Sequence, residues 1–350
     1  MIQHHIEACA KVEDIKEVLL LGYFPANQLT SFVADMIATY NIRIRFLQEY
    51  VPLGTAGGIY HFRDQIKSGN PDAFFVLNGD VCGDFPLKEM LEFHRNLPRS
   101  SLITVMGTEA TRQQSICYGS IVEDKTTHQI RHYVEKPSTF VSTLINCGVY
   151  ICSPEVFPHI AQIYTSRQDF VNEDYGVSEV IQLEQDLLMP IAGTGRAHVY
   201  TTDRWWSQIK TAGSAIYANR HYLQLYRKDH IERLAMNGPE KPTIFGDVYI
   251  HPSASVDSSA VLGPNVSIGK NAVIGAGVRI RESIILGNAT IKEHSCVLYS
   301  VVGWNSTVGG WTRLEGTPCD PNPNKPFAKM DNVPLFNQEG KLNPSITILG

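Results

Sequence analysis

The chain has 350 residues, 43% of them hydrophobic and 19% charged, with a formal net charge of −5. That length suits two domains, that composition excludes a disordered chain, and so small an acidic excess gives no electrostatic basis for binding nucleic acid. No apolar run nears the roughly 18 residues of a membrane span, and Met1–Glu7 carries neither the basic leader nor the apolar core of a signal peptide.

Residues 1–240 alternate short apolar runs with amphipathic stretches. Glu17–Leu21, Ile42–Leu47 and Ala73–Leu77 read as strands, and Leu29–Tyr40, Thr55–Ile66 and Leu87–His94 as the helices that follow them. That alternation predicts βαβ units around a mostly parallel sheet. Four closer strands, near 101–106, 118–123, 130–135 and 144–151, predict an antiparallel patch laid onto it. Helices are expected near 154–162 and 178–188, and a last one near 207–226 is expected to close the domain.

From Ile244 an aliphatic residue recurs every six positions: Ile244, Ile250, Val256, Leu262, Ile268, Ile274 and Ile280. After a slip of one the series continues at Ile285, Ile291 and Val297, and after another at Val302, Val308 and Leu314. A period of six with Gly, Asn, Ser and Ala at the corners predicts a parallel β-helix of hexapeptide repeats, about four coils long, over residues 241–350. A sandwich does not keep that period. The Pro- and Asn-rich stretch at about 315–343 breaks the pattern and predicts a long inserted loop, after which Ile346–Leu349 resumes as a rung.

The seven cysteines are scattered, with no Cys-x-x-Cys pair and no zinc spacing, which points to reduced buried thiols and a cytoplasmic address. Four patterns in the first domain have residue types suited to chemistry. Leu53-Gly54-Thr55-Ala56-Gly57 lies between a strand and a helix, where glycines allow close backbone approach and a helix start favours anions. The same residues make an ordinary strand-to-helix turn with Thr55 as N-cap. Asp80, after the Phe75–Leu77 strand, stands at a carboxyl edge of the sheet, where a carboxylate holds Mg²⁺ against phosphates or simply closes a turn. Glu135 and Lys136 suit sugar hydroxyls and a phosphate, or a solvated rim. Asn146 suits a sugar with its donors and acceptor, or a buried structural role.

In order and spacing these motifs, with Tyr118-Gly119 and the hexapeptide solenoid, resemble the sugar-nucleotide pyrophosphorylases across essentially the whole chain. The wording is nearest to the GDP-mannose pyrophosphorylases (mannose-1-phosphate guanylyltransferases). Asn78–Cys82, Trp206–Lys210, His251-Pro252 and the insertion after Glu315 look most like their α, regulatory-type subunits. The resemblance implies a Rossmann-like nucleotidyltransferase domain with a mixed sheet, then a left-handed β-helix. It implies that Leu53, Gly54, Thr55, Ala56 and Gly57 line the base and ribose, that Gly119, Glu135 and Asn146 hold the sugar and Lys136 its phosphate, and that Asp80 binds Mg²⁺. In active members a sugar phosphate oxygen attacks the α-phosphorus of a nucleoside triphosphate and pyrophosphate leaves.

Two departures set the functional expectation. No Gly-x-Gly-Thr-Arg phosphate loop occurs, and Met1–His5 matches the helix beyond it, so an N-terminally truncated chain lacking the first strand is expected. Gln208 stands where active members carry a second metal-binding Asp, and a neutral amide is a poor magnesium ligand. The expected function is therefore a regulatory subunit that is itself non-catalytic. It would bind GDP-mannose or GTP and join a catalytic β-type subunit in a hetero-oligomer. The alternative is an active guanylyltransferase making GDP-mannose from mannose 1-phosphate and GTP. A hexapeptide acyltransferase would need a catalytic histidine, and only His251 and His294 fall within the repeats.

Overall fold

The computed structural model describes residues 1–169, 180–210, 212–316 and 346–350. The chain divides into two compact units, Met1–Trp206 and Ser207–Gly350. The division falls ahead of the expected 240/241 boundary because the helix Ala212–Asp229 is bonded to the repeats: Arg220 pairs with Glu282 at 3.0 Å and Arg227 with Asp247 at 2.6 Å.

The first unit opens with helix α1 (Ile2–Ala10), strand β1 (Glu17–Gly22), helix α2 (Ala26–Tyr40) and strand β2 (Arg43–Gln48). Helix α2 ends at Asn41 in the left-handed region (φ 51°), which an asparagine tolerates at a helix end. β1 and β2 pair in parallel from Glu17 opposite Arg43 to Gly22 opposite Gln48, as a two-stranded sheet of their own. Arg45 donates to both carboxylate oxygens of Glu17, at 2.6 and 2.9 Å.

Helix α3 (Gly54–His61) leads to the larger sheet. Its strands are β3 (Phe74–Leu77), β5 (Ile103–Glu109), β6 (Ser120–Glu123), β7 (Ile130–Val134), β8 (Leu144–Cys152) and β9 (Ala197–Thr201), and the short strand β4 (Val81–Gly83) follows β3. The order is β7-β6-β8-β5-β9, with β3 also on β8. The expected antiparallel patch is present: β5 and β6 both run antiparallel to β8, and β6 to β7. β3 departs from the expected parallel arrangement, because its Phe74–Leu77 pair antiparallel with Val149–Cys152. Strand β8 is long enough to take β3 at one end and β6 at Ile145, and it is buried along its whole length. β9, parallel to β5, has no counterpart in the sequence reading. Expected helices appear at Leu87–Arg95 and Val156–Asp169, while the stretch leading to 188 closes as a π-helix, Leu183–Leu188. The core gathers Ile103, Val105, Ile121, Tyr133, Tyr150 and Leu187.

In the second unit each six-residue step carries one short strand, and the strands join three parallel sheets in rotation, consistent with a β-helix. Ile244, Leu262, Ile280, Val297 and Leu314 stack on one face, and Ile268, Ile285 and Val302 on the next. Val256, Ile274, Ile291 and Val308 stack on the third. Most of these side chains are fully buried, which is why the period is so strict. The strand Thr347–Leu349 joins the second face on Ser300–Val302, as expected for the resumed rung. The expected insertion lies, beyond Gly316, outside the described residues. The helix expected near 207–226 belongs to this unit and does not close the first domain. Along it Asn219, Arg220 and Arg227 meet Asn265, Glu282 and Asp247, one group per coil.

Candidate functional site

Asn146 sits on β8 with its side chain buried, and strand alternation with the register of β7, β6 and β8 puts Asn146, Tyr150 and Tyr133 on one face of the sheet, with Glu135 just past the end of β7. The Asn146 amide donates one hydrogen to the Tyr133 hydroxyl (3.0 Å) and one to the Tyr150 hydroxyl (2.9 Å). Its Oδ1 accepts from the Gly148 amide at 2.9 Å. Tyr133 donates onward to Glu135 at 2.6 Å and Tyr150 to Glu184 at 2.7 Å. One amide thus holds two phenols, and each phenol holds a carboxylate. Burial, reinforced by the neighbouring carboxylates, pushes both phenols far above the usual tyrosine range, so they remain donors.

This arrangement revises the expected role of Asn146. Both of its hydrogens are committed, so only a lone pair on Oδ1 remains for a sugar. Its main work here is to set the positions of Glu135 and Glu184. Gly119 is brought to the same place, and its carbonyl accepts from the Asn146 backbone N–H at 2.8 Å. A β-carbon on Gly119 would lie 1.9 Å from the Tyr133 hydroxyl and 2.7 Å from Glu135, so only glycine fits. Lys136 follows on the exposed side, in the left-handed region (φ 46°), with its N–H on the Tyr118 carbonyl at 3.2 Å.

The Leu53–Gly57 turn lies at the start of α3. Gly54 has φ +79°, and a β-carbon there would stand 2.6 Å from the Ile181 carbonyl oxygen. The Ala56 and Gly57 amides both donate to that oxygen, at 2.9 and 3.2 Å, so this helix start is capped by the chain's own backbone. That corrects the expectation that these amides greet an anion. It also corrects Thr55 as N-cap. Leu53 holds that position, while the Thr55 hydroxyl accepts from the Leu183 N–H at 2.8 Å and faces Glu184 at 3.2 Å and Gln182 at 3.4 Å. Asp186 steadies the segment by accepting from the Gln182 N–H (2.6 Å) and from Arg167 (2.5 Å). Leu53 and Gly57 of this turn, with Tyr60, His61, Arg63 and Tyr164, line a cleft of about 300 Å³.

Asp80 is half-buried in the turn after β3. The turn is tied to the Asn146 region, because Asn78 donates its N–H to the Gly148 carbonyl at 2.9 Å and its side chain crowds Gly148. His5 of α1 reaches the Asn78 carbonyl at 3.2 Å, and burial lowers its pKa. Gln208 is half-buried at the end of the short strand Trp206–Gln208, just past the division between the two units. Among the described residues no group of three or more His, Cys, Asp or Glu is placed to hold a metal ion, and no helix is long and apolar enough to cross a membrane.

The sequence reading therefore locates Gly119, Glu135 and Asn146 together and misses Tyr150 and Glu184. The spacing Asn146-x-x-x-Tyr150 on one strand carries a signal for the first. Glu184 carries none, since a π-helix has no simple sequence period.

Comparison with known proteins adds two matches to family models: "Nucleotidyl transferase" over residues 1–188 and "GMPPB C-terminal domain" over 244–350. "Mannose-1-phosphate guanylyltransferase regulatory subunit alpha" of Drosophila melanogaster is 58% identical, over 100% of this chain and 85% of its own length. The alpha-A subunit of the same name from Danio rerio and the alpha subunit from Xenopus tropicalis are each 56% identical, over 100% of this chain and 84% of their own.

Proposed function

This chain belongs to the family of mannose-1-phosphate guanylyltransferase regulatory subunits alpha, and from that membership we propose that it senses GDP-mannose and acts on a catalytic β-type partner without turning over substrate itself. The observation that carries the ligand reading is the Gly119–Glu135–Asn146–Glu184 cluster. Glu135, anchored by Tyr133, is a good acceptor for the hydroxyls of a hexose, and Glu184 is joined to it through Tyr150, Asn146 and Tyr133. Lys136, exposed beside Glu135, supplies the positive charge for the sugar-linked phosphate. Leu53–Gly57 and Thr55 then meet the nucleoside, through side chains and the Thr55 hydroxyl more than through capped amides. GTP is the second ligand this pocket would accept.

The donor set does not fit a resident magnesium ion. Mg²⁺ takes near-octahedral oxygen donors, with carboxylates supplying the charge. Asp80 is one carboxylate outside any cluster of acidic or His ligands among the described residues, and Gln208 is neutral. No step through a metal follows, and the chain's contribution is binding. The β-helix, which we take as left-handed, supplies an assembly surface for a cytoplasmic hetero-oligomer.

Titration calorimetry with GDP-mannose and pyrophosphate-release assays with mannose 1-phosphate and GTP test this together. Binding without turnover is expected. Sustained GDP-mannose synthesis by the chain alone would replace the regulatory reading with the catalytic one. Co-expression with a β-type subunit should yield a joint complex, and two separate species on gel filtration would remove the partner from the proposal.

A further inference from the structure

We propose that Glu184 is a positioning residue that couples the two halves of the pocket, so that what happens at the Thr55 turn is felt at the sugar group. This deepens the GDP-mannose reading and rests on it.

The Glu184 carboxylate is bridged. One oxygen accepts from Tyr150 at 2.7 Å and the other from Thr55 at 3.2 Å. The Thr55 hydroxyl has one proton, and its nearer acceptor is the charged one, with Gln182 at 3.4 Å as the other. From Thr55 the chain of bonds runs through Glu184 and Tyr150 to Asn146 (2.9 Å), then through Tyr133 (3.0 Å) to Glu135 (2.6 Å). Each phenol gives its single proton outward and accepts from the amide, so the direction of every bond is set. A hydroxyl cannot be re-aimed at one end without disturbing its neighbour. Tyr133 and Tyr150 are almost fully buried, so water cannot take over a lost bond there. Thr55 by contrast is exposed at the nucleoside end.

A carboxylate is the one side chain of this length that accepts on both ends. Glutamine in its place turns an NH₂ toward either Tyr150 or Thr55 and breaks the series at that bond. Linkage then requires reciprocity: if the nucleoside orders Glu184, the sugar group strengthens nucleoside binding by the same factor.

The test is titration of the full chain and of Glu184→Gln, Tyr150→Phe and Thr55→Val with GDP and with GDP-mannose, alongside thermal melts. In the unaltered chain GDP-mannose is expected to bind more tightly than GDP. In Glu184→Gln that preference should fall about tenfold, with GDP affinity held within about twofold, as one charged hydrogen bond warrants. Thr55→Val should also reduce the sugar preference, although it lies at the nucleoside end, and the Thr55→Val/Tyr150→Phe pair should be non-additive. Equal loss of both ligands in Glu184→Gln, or an unchanged preference in a folded variant, overturns the coupling. Additive behaviour of the pair overturns it as well, even if Glu184→Gln misfolds. If the unaltered chain binds neither ligand, the GDP-mannose reading fails first and takes the coupling with it.

Discussion

Gly119 has no latitude for a side chain. A methyl group there would displace the Tyr133 hydroxyl from Asn146 and Glu135. Gly119→Ala should therefore cost about 1–3 kcal/mol in denaturant unfolding and weaken GDP-mannose more than GDP in titration. A second prediction concerns His94 and His198. Burial lowers both pKa values from the usual 6.5, His198 further lowering His94, and His128 further lowering His198. His94 contacts the Thr104 hydroxyl at 2.7 Å, and His128 faces Glu123 at 3.3 Å. The unfolded chain takes up these protons first, so their contribution to stability is complete above pH 6.5 and is lost as pH falls through the depressed folded values. The melting temperature should drop between pH 7.5 and 5.5, and by less in His94→Gln. At this scale the sequence shows which residues share a strand face, as with Asn146 and Tyr150 on β8. It does not show what faces them, which is why Asn146 reads as a sugar donor until its two hydrogens are found on tyrosines.

Among the elements, the repeats are the most legible. Their side chains must point inward to be buried at all, so thirteen aliphatic positions fall on strands. The helix Ala212–Asp229 is far less legible, because its partners are polar and come from three different coils. Glu282, with its side chain 7% exposed, depends on Arg220 and on Asn265 at 3.0 Å. Arg220→Ala leaves that charge buried and half-served, and should cost about 2–3 kcal/mol, moderated by the partial solvation of the arginine. Adding Glu282→Gln should recover a good part of the loss, which chemical denaturation of the single and double variants would measure. β3 shows the opposite limit. An apolar run identifies a strand without choosing its partner, and the length of β8 makes the choice.

For the whole molecule, the proposed binding needs no resident metal. Chelation by EDTA should leave GDP-mannose affinity within about twofold in calorimetry, since charged protein groups carry the contacts. Ligand at a hundred times its dissociation constant should add about 2.7 kcal/mol to stability, visible as a rise in melting temperature. A magnesium-dependent affinity would instead place Asp80 in a metal site. The two-part organisation is readable from the change of period at Ile244, while the place of division at Trp206 is not, because a helix ahead of the repeats carries no mark of which unit it will join.

The phase slips of the repeat have a consequence for how such chains diverge. Ile244 to Ile250 and Leu262 to Ile268 are six-residue steps, whereas Ile280 to Ile285 and Val297 to Val302 are five. Both short steps round the same corner, and the registers of the faces on either side of it continue unbroken. A residue deleted or inserted elsewhere in a coil would turn the rest of that rung inside out. At this corner it changes a turn, the one whose Asp247, Asn265 and Glu282 meet the helix Ala212–Asp229, and leaves the rungs in register. Related chains should accordingly accumulate their single-residue gaps here, coil by coil, and keep the other two corners at constant length.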